Sequence, residues 1–122
     1  MKILFTLHLL ILLFTHNSVS RTKSLALSKG HYTVGHEMNS FQPCDQKKIY
    51  WVNGPNRVIV RLELSYQKLK PKLYEEVFVK FEGTFAAKAS NGFASDLDGI
   101  FFVEKVHKLA KKTKSDCSST KK

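Results

Sequence analysis

The residues of this chain that bear on chemistry are two cysteines, a His/Glu group near the first of them, and a pair of aspartates. Cys44 stands in Phe41-Gln42-Pro43-Cys44, and Cys117 lies in the basic C-terminal stretch. A reactive thiol needs a cationic neighbour to hold its thiolate, and no basic partner is fixed beside Cys44 by sequence. Pairing with Cys117 would close a loop of about 72 residues and stabilise the fold by on the order of 4 kcal/mol in a chain-entropy account. Against the pairing, Cys117 sits in a tail with no pattern that docks it. A disulfide and a free thiol are both compatible with these residues. His31, His36, Glu37 and Cys44 carry groups that suit zinc or copper. Their spacing matches no ligand pattern, and His31 and His36 fall on opposite faces of a straight strand. Position 40 is Ser, so His36-Glu37 does not open a His-Glu-x-x-His motif. Asp96 and Asp98 could pose as an acid/base pair, but no nucleophile accompanies them. Asp98-Gly99 reads as a tight turn with positive φ at the glycine. The expectation is a protein with no enzymatic activity, no metal site and no cofactor.

Charge points more clearly to a kind of partner. Lys and Arg number 20 against 10 Asp and Glu, for a formal charge of +10. Lys68, Lys70 and Lys72 cluster mid-chain. Lys108, Lys111, Lys112, Lys114, Lys121 and Lys122 cluster at the C-terminus and are the expected polyanion contacts. Tyr50, Trp51, Tyr66 and Tyr74 form the candidate ligand surface, because small barrels bind single strands by stacking bases on exposed aromatics over a cationic groove. The competing reading places these rings in the core and leaves the lysines to solubilise the chain. The tail can attract anions but has no aromatic with which to read a base. Non-specific polyanion attraction is therefore expected, and specific nucleic-acid recognition is not.

The elements that must position these residues begin behind a secretion signal. Lys2 supplies a positive start, Ile3 to Phe14 is apolar apart from Thr6 and His8, and Ser18-Val19-Ser20 offers a small-x-small cleavage pattern. The apolar run is short of the roughly 20 residues a membrane-crossing helix needs. Cleavage after residue 20 would leave 102 of the 122 residues, enough for one domain, and losing Lys2 lowers the charge from +10 to +9. Residues 21–29 read as a linker, 30–108 as the folded domain and 109–122 as a disordered Lys-rich tail. Within the domain, Glu76 to Glu82 alternates as a strand, with 77, 79 and 81 on one face. Ile100 to Val106 is a second strand, and Tyr32–Val34 and Ile49–Val52 are shorter ones. Gly83 inside an extended run marks a bend or bulge. Residues 57–69 are ambiguous: Val58, Val60, Leu62, Leu64 and Tyr66 alternate like a strand, while Leu62, Tyr66 and Leu69 fit a helix. Pro71 ends either one. Such an order suits a small barrel, whose closure removes exposed edges, with an open sheet and one helix as the rival.

Gly35-His36-Glu37, Phe41-x-Pro43-Cys44, Tyr50-Trp51-Val52, Tyr66, Tyr74 and a strand ending at Gly83 together resemble the OB-type domain at the C-terminus of the envelope lipoprotein NlpE. The likeness is closer still to small exported bacterial proteins that carry this domain alone, and it covers residues 30–107. It implies a mainly β fold, a five-stranded barrel with one short helix at about 57–68, in a Gram-negative envelope. NlpE also has a copper- and redox-associated Cys-x-x-Cys domain and a lipid-attachment Cys, which this sequence lacks, so sensing and signalling roles do not transfer. The expected protein is a periplasmic or secreted monomer without a transmembrane span, serving as a non-enzymatic interaction or accessory domain for an unknown envelope protein or polyanion. Weak binding of anionic ligands (nucleic acid, acidic glycan or lipid) is one alternative, and Cys44-based redox or metal handling is the other. The exported form is expected to begin at Arg21 or within a few residues of it. Terminal sequencing that finds Met1 on the exported protein would remove the signal-peptide reading.

Overall fold

The computed structural model describes residues 24–69 and 71–119; the stretch read as a secretion signal (1–20), Lys70, Lys121 and Lys122 lie outside the described residues. Five strands run in chain order: β1 (Ala26–Gly35), β2 (Met38–Pro43), β3 (Tyr50–Asn53), β4 (Val77–Ala86) and β5 (Gly99–Lys111). One helix, α1 (Asn56–Lys68), sits between β3 and β4, and a 3-10 turn (Phe93–Asp96) precedes β5. Strand order around the sheet is β1-β2-β3-β5-β4, with β4 returning to β1 to close a barrel. Every pairing is antiparallel except β3 with β5.

Alternation explains the wall. Tyr32 on β1, Phe41 on β2, Tyr50 and Val52 on β3, Val77, Val79 and Phe81 on β4, and Phe101 and Val103 on β5 all turn inward and are buried. Phe41, Phe81 and Phe101 meet at the centre, with ring centroids 5.0 Å (41–81), 5.1 Å (41–101) and 5.9 Å (81–101) apart. Offset and edge-on rings at these distances contribute about 0.5–1.5 kcal/mol per pair beyond their area burial.

Helical periodicity prevails over alternation in residues 57–69. Leu62 and Tyr66 plug the end of the barrel, and Val58, Ile59 and Leu69 pack beside them. Val60 and Leu64, which a strand would have put on the same face, remain 45% and 57% exposed. The helix starts after Pro55, whose fixed φ suits a helix start and whose carbonyl accepts from Val58 and Ile59. It ends at Lys68, and Pro71 prevents its continuation.

Three expectations are corrected, and β2 is a strand that the sequence pattern did not predict. β1 begins at Ala26, inside the stretch read as a linker, because Ala26 to Lys29 pair with Lys80 to Gly83 through the backbone and need no apolar alternation to do so. β2 carries no strand pattern of its own beyond Phe41 and Pro43, and pairing with β1 makes it a strand. β5 continues to Lys111, paired with β4 back to Val77, so the basic stretch is not a disordered tail from 109 onward. Gly99 has no positive φ, and its hydrogen is required by packing: a Cβ there would lie 2.9 Å from the Ala86 carbonyl and 3.0 Å from the Tyr50 ring.

Gly83 does mark an irregularity. The β4–β5 register shifts between Glu82 and Gly83 and again between Lys80 and Phe81, leaving Glu104 and His107 as extra residues on β5. A Cβ at Gly83 would come within 2.1 Å of the Phe102 carbonyl.

The core makes a directional prediction. Tyr32 is fully buried and its hydroxyl has no hydrogen-bond partner, whereas the Tyr66 hydroxyl donates to the Glu75 carbonyl at 2.6 Å. An unsatisfied buried hydroxyl costs about 1–3 kcal/mol and a satisfied one contributes about 1 kcal/mol. Tyr32→Phe is therefore expected to hold or raise stability, and Tyr66→Phe to lower it by about 1 kcal/mol. Urea unfolding of both variants checks the contrast, and equal losses in the two would refute it.

Candidate functional site

The residues with chemical potential are distributed by the fold rather than gathered. Gly35-His36-Glu37 forms the β1–β2 hairpin turn, with Glu37 at φ 59° and His36 Nε2 3.4 Å from the Glu37 carboxylate in solvent. The Tyr74 ring lies over Gly35, and its hydroxyl donates to the His36 carbonyl at 3.2 Å. Cys44 follows β2 and forms a disulfide with Cys117, the two Cα atoms 5.1 Å apart. That bond engages the Sγ a metal would need. His31 is engaged beside that bond, with Nε2 3.0 Å from Oδ2 of Asp116, the residue before Cys117. No group of three or more His, Cys, Asp or Glu suited to a metal ion occurs among the described residues. Asp98 bridges the start of β3 to the start of β5, its carboxylate accepting from the Ile49 amide at 2.9 Å while its own amide donates to the Ile49 carbonyl. Asp96 stands exposed in the 3-10 turn.

The four aromatics of the candidate ligand surface do not share a face. Tyr50 and Tyr66 are core residues, 8% and 2% exposed, and the Tyr50 hydroxyl is tied to Gln46 at 2.5 Å. Trp51 points outward between Ser40 and Ile100 and is partly buried. Tyr74 covers the hairpin turn on the far side of β1. A stacking platform built from these rings is excluded by the alternation that sends Tyr50 inward and Trp51 outward.

Of the lysines, Lys111 and Lys114 are exposed, Lys112 is paired with Glu76, and Lys108 lies over the Phe78 ring with Nζ 5.6 Å from its centroid. Lys108 belongs to a different assembly that the sequence did not reveal. Along one side of the barrel, α1 and the second half of β5 enclose a groove of about 610 Å³. Arg57, Arg61 and Lys68 line it from the helix, and Lys105 and Lys108 from the strand, with Glu104 the one carboxylate. Val58, Leu62, Leu69, Val106 and Leu109 give it an apolar lining. None of Arg57, Arg61, Lys68 and Lys105 forms an ion pair with a described residue, while His107 is engaged by Glu82 at 2.9 Å. The clue in the sequence was the spacing of Arg57, Arg61, Ser65 and Lys68, which share a helical face, but only once residues 57–68 are taken as helix.

A small closed β-barrel in the order β1-β2-β3-β5-β4, with a helix between β3 and β4, defines the OB class of domain. Residues 22–118 match the family described as the NlpE C-terminal OB domain. The chain belongs to that family. Comparison with curated proteins gave no match, and comparison with solved structures gave none. No described helix is long and apolar enough to cross a membrane.

Residues 113–117 are secured by a compact polar clasp. Asp116 accepts from the Thr113 amide at 2.8 Å and the Thr113 hydroxyl at 2.7 Å, and faces His31 on β1. Burial works to raise the Asp116 pKa, but the Thr113 and His31 interactions outweigh it and hold the carboxyl below its ordinary value. A depressed carboxyl contributes stability above its unfolded pKa, near 3.9, and loses that contribution as pH falls through the folded value. Asp116→Asn is thus expected to lower stability at pH 7 and to narrow its gap from the parent below about pH 4. Denaturation midpoints at pH 7 and pH 3 check this, and a gap that does not change with pH would exclude a role for the charge.

Proposed function

We propose that this chain is a non-enzymatic accessory domain of the bacterial cell envelope, exported to the periplasm or beyond, which works by holding an anionic partner on its surface. The family supports the setting, since its members' namesake is an envelope lipoprotein. One observation carries the mode of action: the barrel interior is filled by its own aromatic rings, while the α1–β5 groove offers five cationic side chains against one carboxylate. Clefts lined by one sign of charge over low-dielectric walls raise the local concentration of the opposite charge.

A diffuse attraction through the exposed tail lysines is the second reading, favoured by Lys111 and Lys114 having no acidic partner among the described residues. The tail cannot be tested by deletion, because β5 runs to Lys111 and Cys117 is bonded to Cys44. Charge neutralisation separates the two readings. With inorganic polyphosphate as probe, Arg57→Gln/Arg61→Gln is expected to weaken binding at least fivefold. Lys111→Gln/Lys114→Gln should weaken it less. Both forms should lose affinity steeply between about 50 and 200 mM salt, as counterion release requires. The reverse ranking would move the site to the tail. Polyphosphate binding unaffected by either pair would refute both.

A further inference from the structure

The wall of the barrel is incomplete beside the cationic groove. β3 pairs with β5 only from Gly99 to Phe102, in parallel register with Tyr50 to Asn53. From Lys105 to Lys111 β5 is paired with β4 on one side, and no described strand pairs with its other side. That side faces α1 across the groove, so the strand edge and the basic helix face are its two walls.

An open strand edge is a template for another extended chain, since a row of backbone donors and acceptors awaits partners. Proteins blunt such edges with lysines and bulges, and β5 carries both: Lys105, Lys108, and the extra residues Glu104 and His107. These devices act selectively here. A second copy of the same edge would bring Lys105 and Lys108 against their own counterparts, which like-charge repulsion opposes. An acidic strand would meet the same lysines on one side and Arg57, Arg61 and Lys68 on the other. The apolar lining from Val58, Val106 and Leu109 suits the alternate side chains of such a strand, which point to opposite faces. Lys105 to Leu109 spans about 13–14 Å of extended chain at 3.3–3.4 Å per residue, and a groove of about 610 Å³ is within the range that holds short ligands.

We propose that the α1–β5 groove binds an acidic, extended peptide segment of a partner protein, added as a strand to the open edge of β5. The proposal rests on the reading of this groove as the anion-holding site and specifies what fills it. Main-chain hydrogen bonds supply the pairing, and the basic rim selects acidic over neutral or basic segments.

The test uses the protein as isolated from producing cells and a capped octapeptide alternating Glu with Val. Its comparison peptide is N-methylated at alternate residues, which keeps every charge and removes half of the backbone donors. Inorganic polyphosphate and phosphatidylglycerol vesicles are run as further probes. The expected result is binding of the parent peptide, at least tenfold weaker binding of the methylated one, and slowed amide exchange confined to Lys105–Leu109 and the peptide. Arg57→Glu/Arg61→Glu, checked for an unchanged circular dichroism spectrum, should weaken the parent peptide at least tenfold. The amide-exchange result on the unmodified protein stands even if that variant does not fold. Equal affinity for the two peptides would overturn strand addition and leave an anion site. Binding of polyphosphate or vesicles without either peptide would overturn the peptide partner while leaving the anion reading intact. No binding of any probe would refute the groove altogether.

Discussion

Contact of Phe41, Phe81 and Phe101 is the interaction on which the rest of the molecule depends. The three rings come from β2, β4 and β5, and all are fully buried. β2 and β4 are not neighbours in the sheet, so their meeting requires it to curl until its opposite regions touch. Tyr32 and Phe85 extend the cluster toward the two ends, at 5.8 Å from Phe81 and 4.9 Å from Phe101 respectively. The interior of the barrel is thereby occupied by its own side chains.

The groove follows from how the remaining end is closed. Leu62 and Tyr66 must reach into the barrel, which fixes the rotation of α1 about its axis. Arg57, Arg61, Ser65 and Lys68 then fall on the side facing β5. The cationic face is thereby coupled to core packing: a change that rotates the helix to relieve the core also turns the arginines away. Because β3 is only four residues long, it ends before it can cover the far half of β5. A short strand and a long one in the same barrel leave an uncovered edge, and here it lies beside Arg57, Arg61 and Lys68 of the helix.

Much of the fold was legible in the chain. The alternation of Val77, Val79 and Phe81 marks β4 correctly, because those three side chains enter the core while Lys80 and Glu82 on the other face are only partly buried. Residues 57–68 were readable two ways because Val58, Leu62 and Tyr66 satisfy either period; only the placement of Val60 and Leu64 in solvent separates them. β2 and the first residues of β1 left little trace, since they are held by backbone pairing to neighbours distant in sequence. The same is true of the C-terminal stretch, where one carboxylate, one histidine and one sulfur do what apolar burial does elsewhere. Of the groove only the basic helix face left a trace, in the spacing of Arg57, Arg61, Ser65 and Lys68, because its two walls lie some forty residues apart and come together only through the helix plugging the barrel.

The bond between Cys44 and Cys117 also sets the covalent topology of the molecule. It encloses β3, α1, β4 and β5 in one ring and leaves the β1–β2 hairpin outside it. A protease that nicks the exposed bend at Leu73 and Tyr74, or the loop before the 3-10 turn, cuts the backbone without releasing a fragment. The nicked chain keeps its mass apart from one added water, and its strands keep their neighbours. In an oxidising compartment rich in proteases, such damage is silent until a reductant opens the ring.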